Sequence, residues 1–306
     1  MSVIQGIIMG VLQGIAEFLP ISSSGHLAVV QKLFGLNDVP LLFDVMLHLA
    51  TLLAVVLYFR RKIWQLLKVF GRWITGRPDP KSAEAVQPDG ADCSNACDGM
   101  DLLCGTDALG RRTIVAVILS TLVTAVIGLG TSKLIDDSVI SIKLTCAGFI
   151  VTAILLVISS VIEKKNEASA DSKSVQLKGI SPLQALFIGL MQGVGTLPGI
   201  SRSGSTIAGA QLSKVNRQAA GEYSFIISIP AILGAFVLEL KKYMEAGQAA
   251  GSGASIEAAP LIAGCAAAFA WGYLSLAFLM KLIKKGRLEW FACYLIPAGI
   301  LGILFL

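Results

Sequence analysis

The nine residues Pro198-Gly199-Ile200-Ser201-Arg202-Ser203-Gly204-Ser205-Thr206 set one cation and four hydroxyls directly after the apolar run Leu183 to Leu197. Pro198 and Gly199 break the helix before them, and Ser201 or Ser203 suits the N-cap of the helix after them. A helix broken at membrane depth leaves backbone N–H groups free, which is tolerated only beside protein or a wet cavity. Those N–H groups, the helix dipole and the Arg202 guanidinium together make an anion site, with phosphate the first candidate. Gly199, Ser201, Ser203, Gly204 and Thr206 form with Arg202 the expected substrate-binding set. A plain turn outside the membrane is the bland alternative. An ionisable residue within an apolar segment speaks for function instead.

The chain carries a second copy of this stretch. A shift of 179 positions aligns residues 2–25 with 181–204 without a gap, with nine identities in twenty-four pairs. They include Ser2/Ser181, Gln5/Gln184, Gly10/Gly189, Gln13/Gln192, Gly14/Gly193, Ser22/Ser201 and Gly25/Gly204. The sequence is a duplication.

Where the copies differ, the chemistry divides. Glu17 stands opposite Thr196, Ser23 opposite Arg202 and His26 opposite Ser205. The first copy thus offers a carboxylate, a hydroxyl and an imidazole, and the second offers the cation. That division suits phosphoryl transfer, in which positioning and charge stabilisation surround a nucleophile. No Gly-Lys-Ser/Thr phosphate loop is present. Three attackers are conceivable: Ser23, His26, or a water activated by Glu17. His26 lies about one turn beyond Ser23, so the two side chains are expected to face one cavity, with Ser23 as nucleophile and His26 as general acid–base. Ser22 and Ser24 are expected at the substrate, although a hydroxyl here also serves as a helix cap. Asp44 and His48 are four apart on one helical face and are expected to pair in support of the site.

The elements that must position these groups are apolar helices. Of 306 residues, 55% are apolar and 15% charged, with a mean hydropathy of +0.74. Soluble domains carry about a quarter charged residues, so an all-α polytopic membrane protein is expected. No cleavable signal sequence is recognisable at the N-terminus, so nothing is expected to be removed. A net charge of +5 does not imply nucleic acid, because the basic residues cluster at the ends of apolar runs.

Residues 2–34 and 182–213 are each interrupted, so neither half reaches the ~20 residues of a span. Each is expected to be a re-entrant helical hairpin. Full spans are expected at 41–59, 112–131, 140–162, 219–240, 259–281 and 288–306, six in all, with Trp64 and Trp73 on an interfacial segment. Residues 76–110 have the composition of a flexible loop. They hold Cys93, Cys97 and Cys104, and no CxxC pair or histidine. Cys146, Cys265 and Cys293 lie in apolar runs and are expected only to pack. The basic clusters at 60–62, 163–178 and 281–287 place those loops inside, with Lys241-Lys242 the contrary cluster. Three spans then separate the hairpins, so repeat one (1–162) and repeat two (181–306) of a single membrane domain are inverted, with their loops meeting near the midplane.

The run from Gln13 through Glu17, Pro20 and Ser22-Ser23-Ser24-Gly25-His26, taken with Pro198 to Thr206, closely resembles the undecaprenyl-diphosphate phosphatases of the bacitracin-resistance family. The resemblance covers the chain apart from the 76–110 loop. It implies a multi-pass enzyme of the bacterial cytoplasmic membrane, its site open to the outer face, that cleaves the terminal phosphate from a polyprenyl diphosphate lipid and so recycles the carrier for cell-wall precursors. It also implies a divalent cation, Mg²⁺ or Ca²⁺, at Glu17 and Gln13. The family's motif has Glu or Gln followed four residues on by Glu, so this chain offers one carboxylate and one amide. A homodimer is allowed for. The rival reading is a lipid-phosphate flippase or anion transporter, since inverted broken repeats also build transporters. Glu17, Ser23 and His26 are reactive groups that binding alone does not need.

Overall fold

The computed structural model describes residues 1–36, 41–77, 103, 106–134, 141–168, 179–250 and 257–306. Every regular element among them is a helix: α1 (Val3–Phe18), α2 (Ser23–Leu33), α3 (Leu41–Tyr58), α4 (Arg60–Thr75), α5 (Asp107–Leu134), α6 (Ile142–Ala168), α7 (Pro182–Val194), α8 (Arg202–Leu212), α9 (Arg217–Ala250), α10 (Ala258–Lys285) and α11 (Trp290–Phe305). Cys93, Cys97 and Cys104 lie outside the described residues. The expected loop is shorter than 76–110, because α5 already starts at Asp107. The Arg72 guanidinium grips the Asp107 carboxylate, and Thr113 Oγ1 donates to the carbonyl of buried Leu103 at 2.6 Å.

Among the described residues, four helices are long and apolar enough to cross a membrane, at Asp107–Thr131, Ile142–Lys165, Arg217–Met244 and Ala258–Lys285. The chain is a multi-pass membrane protein. The remaining expected spans take other forms. α3 passes the same test only together with α4, which turns from it by 77°. Trp64 and Trp73 on α4 are exposed, as befits a helix at an apolar–polar boundary. α11 has 16 residues, about 24 Å by helix rise against a hydrocarbon core of about 30 Å. Of the cysteines expected to pack, Cys146 is buried, Cys265 half-buried and Cys293 exposed.

Both interrupted segments fold as helix–loop–helix hairpins, and their ends repeat in detail. Ser2 and Gln5 form a capping box on α1, as Ser181 and Gln184 do on α7. Proline ends α1: Leu19, directly before Pro20, is extended with ψ 141°, which the proline ring enforces. α7 stops three aligned positions earlier, at Val194. Gly195 caps it, and Thr196 Oγ1 donates back to the Gly193 carbonyl at 2.7 Å.

Each hairpin's first helix packs against a long helix of the other copy, α1 on α10 and α7 on α5. Small residues make that approach possible. A Cβ on Gly10 would lie 2.1 Å from the Gly264 carbonyl oxygen, and one on Gly189 would lie 2.7 Å from the Ser120 backbone. Hydroxyls then tie the helices together. Ser275 Oγ donates to the Gly14 carbonyl at 2.7 Å, and Ser120 Oγ to that of Ala185 at 2.6 Å.

The second loop rests on α6. Gly199 has φ 82°, and a Cβ there would strike the Thr145 carbonyl at 1.8 Å. The Ser201 N–H donates to Thr152 Oγ1 at 2.9 Å.

Candidate active site

The two loops meet. A Cβ on Gly204 would touch Pro20 at 3.2 Å, and Ser203 Oγ lies 3.5 Å from the Leu19 carbonyl. At this junction α1 ends, α2 and α8 begin, and α3 passes alongside.

Glu17 is the centre. Its side chain is 3% exposed, and a carboxylate so buried needs partners. Arg202, the first residue of α8, places Nη2 on Glu17 Oε1. Ser23, the first residue of α2, donates its hydroxyl to Oε2 at 2.6 Å. Gln13, one turn back along α1, donates Nε2 to the same oxygen at 3.1 Å. His48 of α3 brings Nε2 to 3.7 Å from Oε2. Its Nδ1 lies 2.8 Å from the Asp44 carbonyl, which only accepts, so Nδ1 carries a proton.

Ser22 and Ser201 are the two N-caps, accepting from the N–H of Gly25 at 3.4 Å and of Gly204 at 3.1 Å. Such caps leave the first two helical N–H groups over, those of Ser23 and Ser24 and those of Arg202 and Ser203. Ser22 makes its cap at φ 72°, a conformation that disfavours a residue with a Cβ. A strained cap beside buried charge is characteristic of functional sites.

Several expected placements need correction. The Ser23 hydroxyl meets Glu17, not His26. The His26 ring turns to the other flank of α2, where Nδ1 lies 2.8 Å from the Ser22 carbonyl and Nε2 lies 2.8 Å from the Tyr294 hydroxyl. The ring stacks between Phe149 and Tyr294. Asp44 and His48 do not pair through their side chains either. The Asp44 carboxylate accepts from Gln31 Nε2, at 3.2 Å to each oxygen, while His48 reaches the site itself.

Thr206 faces away, its hydroxyl held by the Arg202 and Ser203 carbonyls and by Ser224. Ser203 Oγ lies 3.2 Å from Ser201 Oγ, and Ser24 is exposed. Gly199 serves the crossing with α6, and Gly204 the contact between loops. Tyr294 and Thr152 are additions to the expected set. The one sequence signal for Tyr294 is a phenol near the start of an otherwise apolar helix.

One buried polar atom at the centre has no partner: Gln13 Oε1. With the Glu17 carboxylate it makes a two-oxygen donor set. Among the described residues no group of three or more His, Cys, Asp or Glu is placed to hold a metal. Two oxygens are far short of a Ca²⁺ cage of six to eight. They fit Mg²⁺, which keeps waters and shares substrate phosphates.

A family model described as bacitracin resistance protein BacA matches residues 6–301. The chain belongs to this family. Among curated relatives, the "Undecaprenyl-diphosphatase" of Treponema denticola is 44% identical over 302 residues, covering 98% of this chain and 96% of the relative. A protein of the same name from Carboxydothermus hydrogenoformans is 34% identical, with 98% and 96% covered. One from the archaeon Methanobrevibacter smithii is 33% identical, with 98% and 96% covered.

Proposed function

We propose that this BacA-family chain is an undecaprenyl-diphosphatase: a membrane-embedded hydrolase that converts undecaprenyl diphosphate to undecaprenyl phosphate and inorganic phosphate. The observation that carries the reading is the junction at Glu17, where a nucleophile-bearing serine, a buried carboxylate and an arginine from the opposite copy come within one hydrogen-bonded cluster. Full-length similarity to proteins named for this reaction supports it.

Ser23 Oγ attacks the terminal phosphorus, and its proton passes to Glu17 Oε2, to which it is already bonded at 2.6 Å. Glu17 hands that proton to the departing undecaprenyl phosphate, and, ionised again, takes a proton from the water that cleaves the phosphoserine and returns it to Ser23 Oγ as inorganic phosphate leaves. Arg202 leaves Glu17 for the phosphate oxygens, joined by the free N–H groups at the starts of α2 and α8. Glu17 and Gln13 Oε1 would hold a divalent cation, which supplies neutralisation of the diphosphate charge when bound. His26 fixes the start of α2 through the Ser22 carbonyl, and in this role it positions Ser23.

The membrane arrangement proposed is six crossings, counting α3 and α11, with the two hairpins re-entrant and inverted. The swapped packing of α1 on α10 and α7 on α5 supports that arrangement. The membrane proposed is the cytoplasmic one, with the site reached from its outer face.

Purified protein in detergent, given undecaprenyl diphosphate and Mg²⁺ without any gradient, should release inorganic phosphate. Gradient-dependent lipid movement with no phosphate release would replace this reading with transport.

A further inference from the structure

His48 faces the Glu17 carboxylate and takes no part in the proposed transfer steps. Its ring is carried by α3, which packs on both α1 and α10. Phe43 and Leu47, fully buried, fix that helix in place. Nδ1 gives its proton to the Asp44 carbonyl at 2.8 Å. In a neutral imidazole the lone pair then sits on Nε2, the nitrogen turned to Glu17.

The distance decides what that nitrogen can do. Nε2 lies 3.7 Å from Glu17 Oε2. That is too far for a hydrogen bond, and about an ångström beyond the contact of a protonated ring with a carboxylate. The Glu17 charge is already met by Arg202, and Oε2 already accepts from Ser23 and Gln13. Two atoms bound to one divalent ion at about 2.1 Å each stand roughly 3.0–4.2 Å apart, and the His48 spacing falls within that range.

Gln13 reaches the same carboxylate oxygen from α1 at 3.1 Å and has Oε1 buried without a partner. An amide oxygen, a carboxylate and a bare imidazole nitrogen are therefore gathered from α1 and α3. A histidine whose other ring nitrogen donates to a backbone carbonyl has the usual form of a metal ligand. The His48 side chain is 34% exposed against 3% for Glu17, so an ion has a way in on that side.

We infer that His48 supplies a nitrogen ligand, beside Glu17 and Gln13 Oε1, to the divalent cation of the site, and that this ligand sets the choice of metal. The inference rests on the cation site of the proposed reaction and adds to it a residue outside both hairpins. Ca²⁺ takes oxygen and gains little from an imidazole, whereas first-row transition ions bind one readily. The mixed set should therefore prefer Mn²⁺ to Ca²⁺.

Mn²⁺ is the probe, because its unpaired electrons report the nitrogens bound to it. Pulsed EPR of the purified protein with substoichiometric Mn²⁺, in detergent and without substrate, should show hyperfine coupling to an imidazole nitrogen. The chain has two histidines, so two variants assign the signal. His48→Gln should abolish the coupling and lower the preference for Mn²⁺ over Ca²⁺ about tenfold, while His26→Gln should keep both. Mn²⁺ bound without nitrogen coupling, a coupling that survives His48→Gln, or an unchanged metal preference in that variant overturns the inference. Should His48→Gln fail to fold, ¹⁵N-histidine in the unaltered protein identifies the coupling as imidazole, and His26→Gln leaves His48 as its source.

Phosphate release is scored separately. Hydrolysis that proceeds in chelator, with no Mn²⁺ bound, keeps the proposed reaction and removes His48 from it. Imidazole coupling in a protein that hydrolyses no diphosphate keeps the metal site and overturns the reaction.

Discussion

Arg202 and Glu17 are 185 positions apart and come from the two aligned copies of the broken hairpin, yet the guanidinium of the second rests on the carboxylate of the first. Each would be costly alone: their side chains are 21% and 3% exposed, and an unpaired buried charge is strongly unfavourable. The pair fixes the two loops against each other. In the proposed reaction it also holds ready a cation for the incoming diphosphate.

Two substitutions separate those roles. Arg202→Lys keeps the charge and loses the planar fork, so it should fold and lose activity about 10²–10³-fold. Arg202→Ala leaves Glu17 buried and unpaired, and should also lower stability by about 3 kcal/mol. Phosphate release and thermal unfolding in detergent measure the two effects. Near-normal turnover in Arg202→Lys would remove Arg202 from the phosphate.

The nucleophile is open to chemical trapping. Substrate labelled in its terminal phosphate should leave an acid-stable, alkali-labile label on the Ser23 peptide after rapid quenching. Ser23→Ala should abolish the label and cost roughly a thousandfold or more in kcat. Acid-labile label on the His26 peptide would point to histidine. No label in any variant, with Glu17→Gln inactive, would favour water activated by Glu17.

Packing predicts a contrast between two glycines. Gly10→Ala would push a Cβ to 2.1 Å from the Gly264 carbonyl, with backbone on both sides, whereas a Cβ on Gly128 of α5 would meet nothing within 4 Å. Gly10→Ala should therefore separate α1 from α10 and cut the yield of folded protein sharply. Gly128→Ala should be neutral or stabilising by about 0.5–1 kcal/mol, since glycine weakens a helix interior. Equal thermal unfolding of the two variants would contradict the close crossing.

Local chemistry made part of this architecture legible in the sequence. The two broken helices could be read from Pro20, Pro198 and the serines that cap α2 and α8, since capping and proline effects act within a few residues. The copies' identical pairs turn out to include the capping boxes and the glycines of the two close helix crossings. Which way a side chain points around a short helix is a different matter. His26 and Ser23 are one turn apart, and spacing alone put them in one cavity. The structure parts them because His26 finds Tyr294, 268 positions away, and Ser23 finds Glu17. Thr206 fails as a ligand for the same reason: its face of α8 is claimed by Ser224. Spacing likewise puts Asp44 and His48 together as a pair supporting the site, but α3 packs near the hairpin tip and carries the His48 ring to Glu17 itself.

The proposed inversion of the repeats has the most direct test. In the aligned copies the hairpins share one direction of chain, so an odd number of crossings between them is what turns the second upside down. Counting α3, α5 and α6 gives three. The basic clusters at Arg60-Arg61-Lys62, Lys164-Lys165 and Lys281 to Arg287 then all fall on the cytoplasmic side, as the distribution of lysine and arginine demands. Single cysteine reporters in a cysteine-free background read this out with a membrane-impermeant maleimide. Reporters at Lys133 and Ala249 should label on intact cells, and reporters at Asp89 and Lys173 only after permeabilisation. Labelling of Asp89 and Lys173 from outside, with the other two protected, would keep the inversion and turn the whole protein over. Labelling of Asp89 and Lys173 from opposite sides means that α5 and α6 do not cross as a pair. An even count would then separate the hairpins, both loops would enter from one face, and the exchange of α1 and α7 partners between the copies would need another origin.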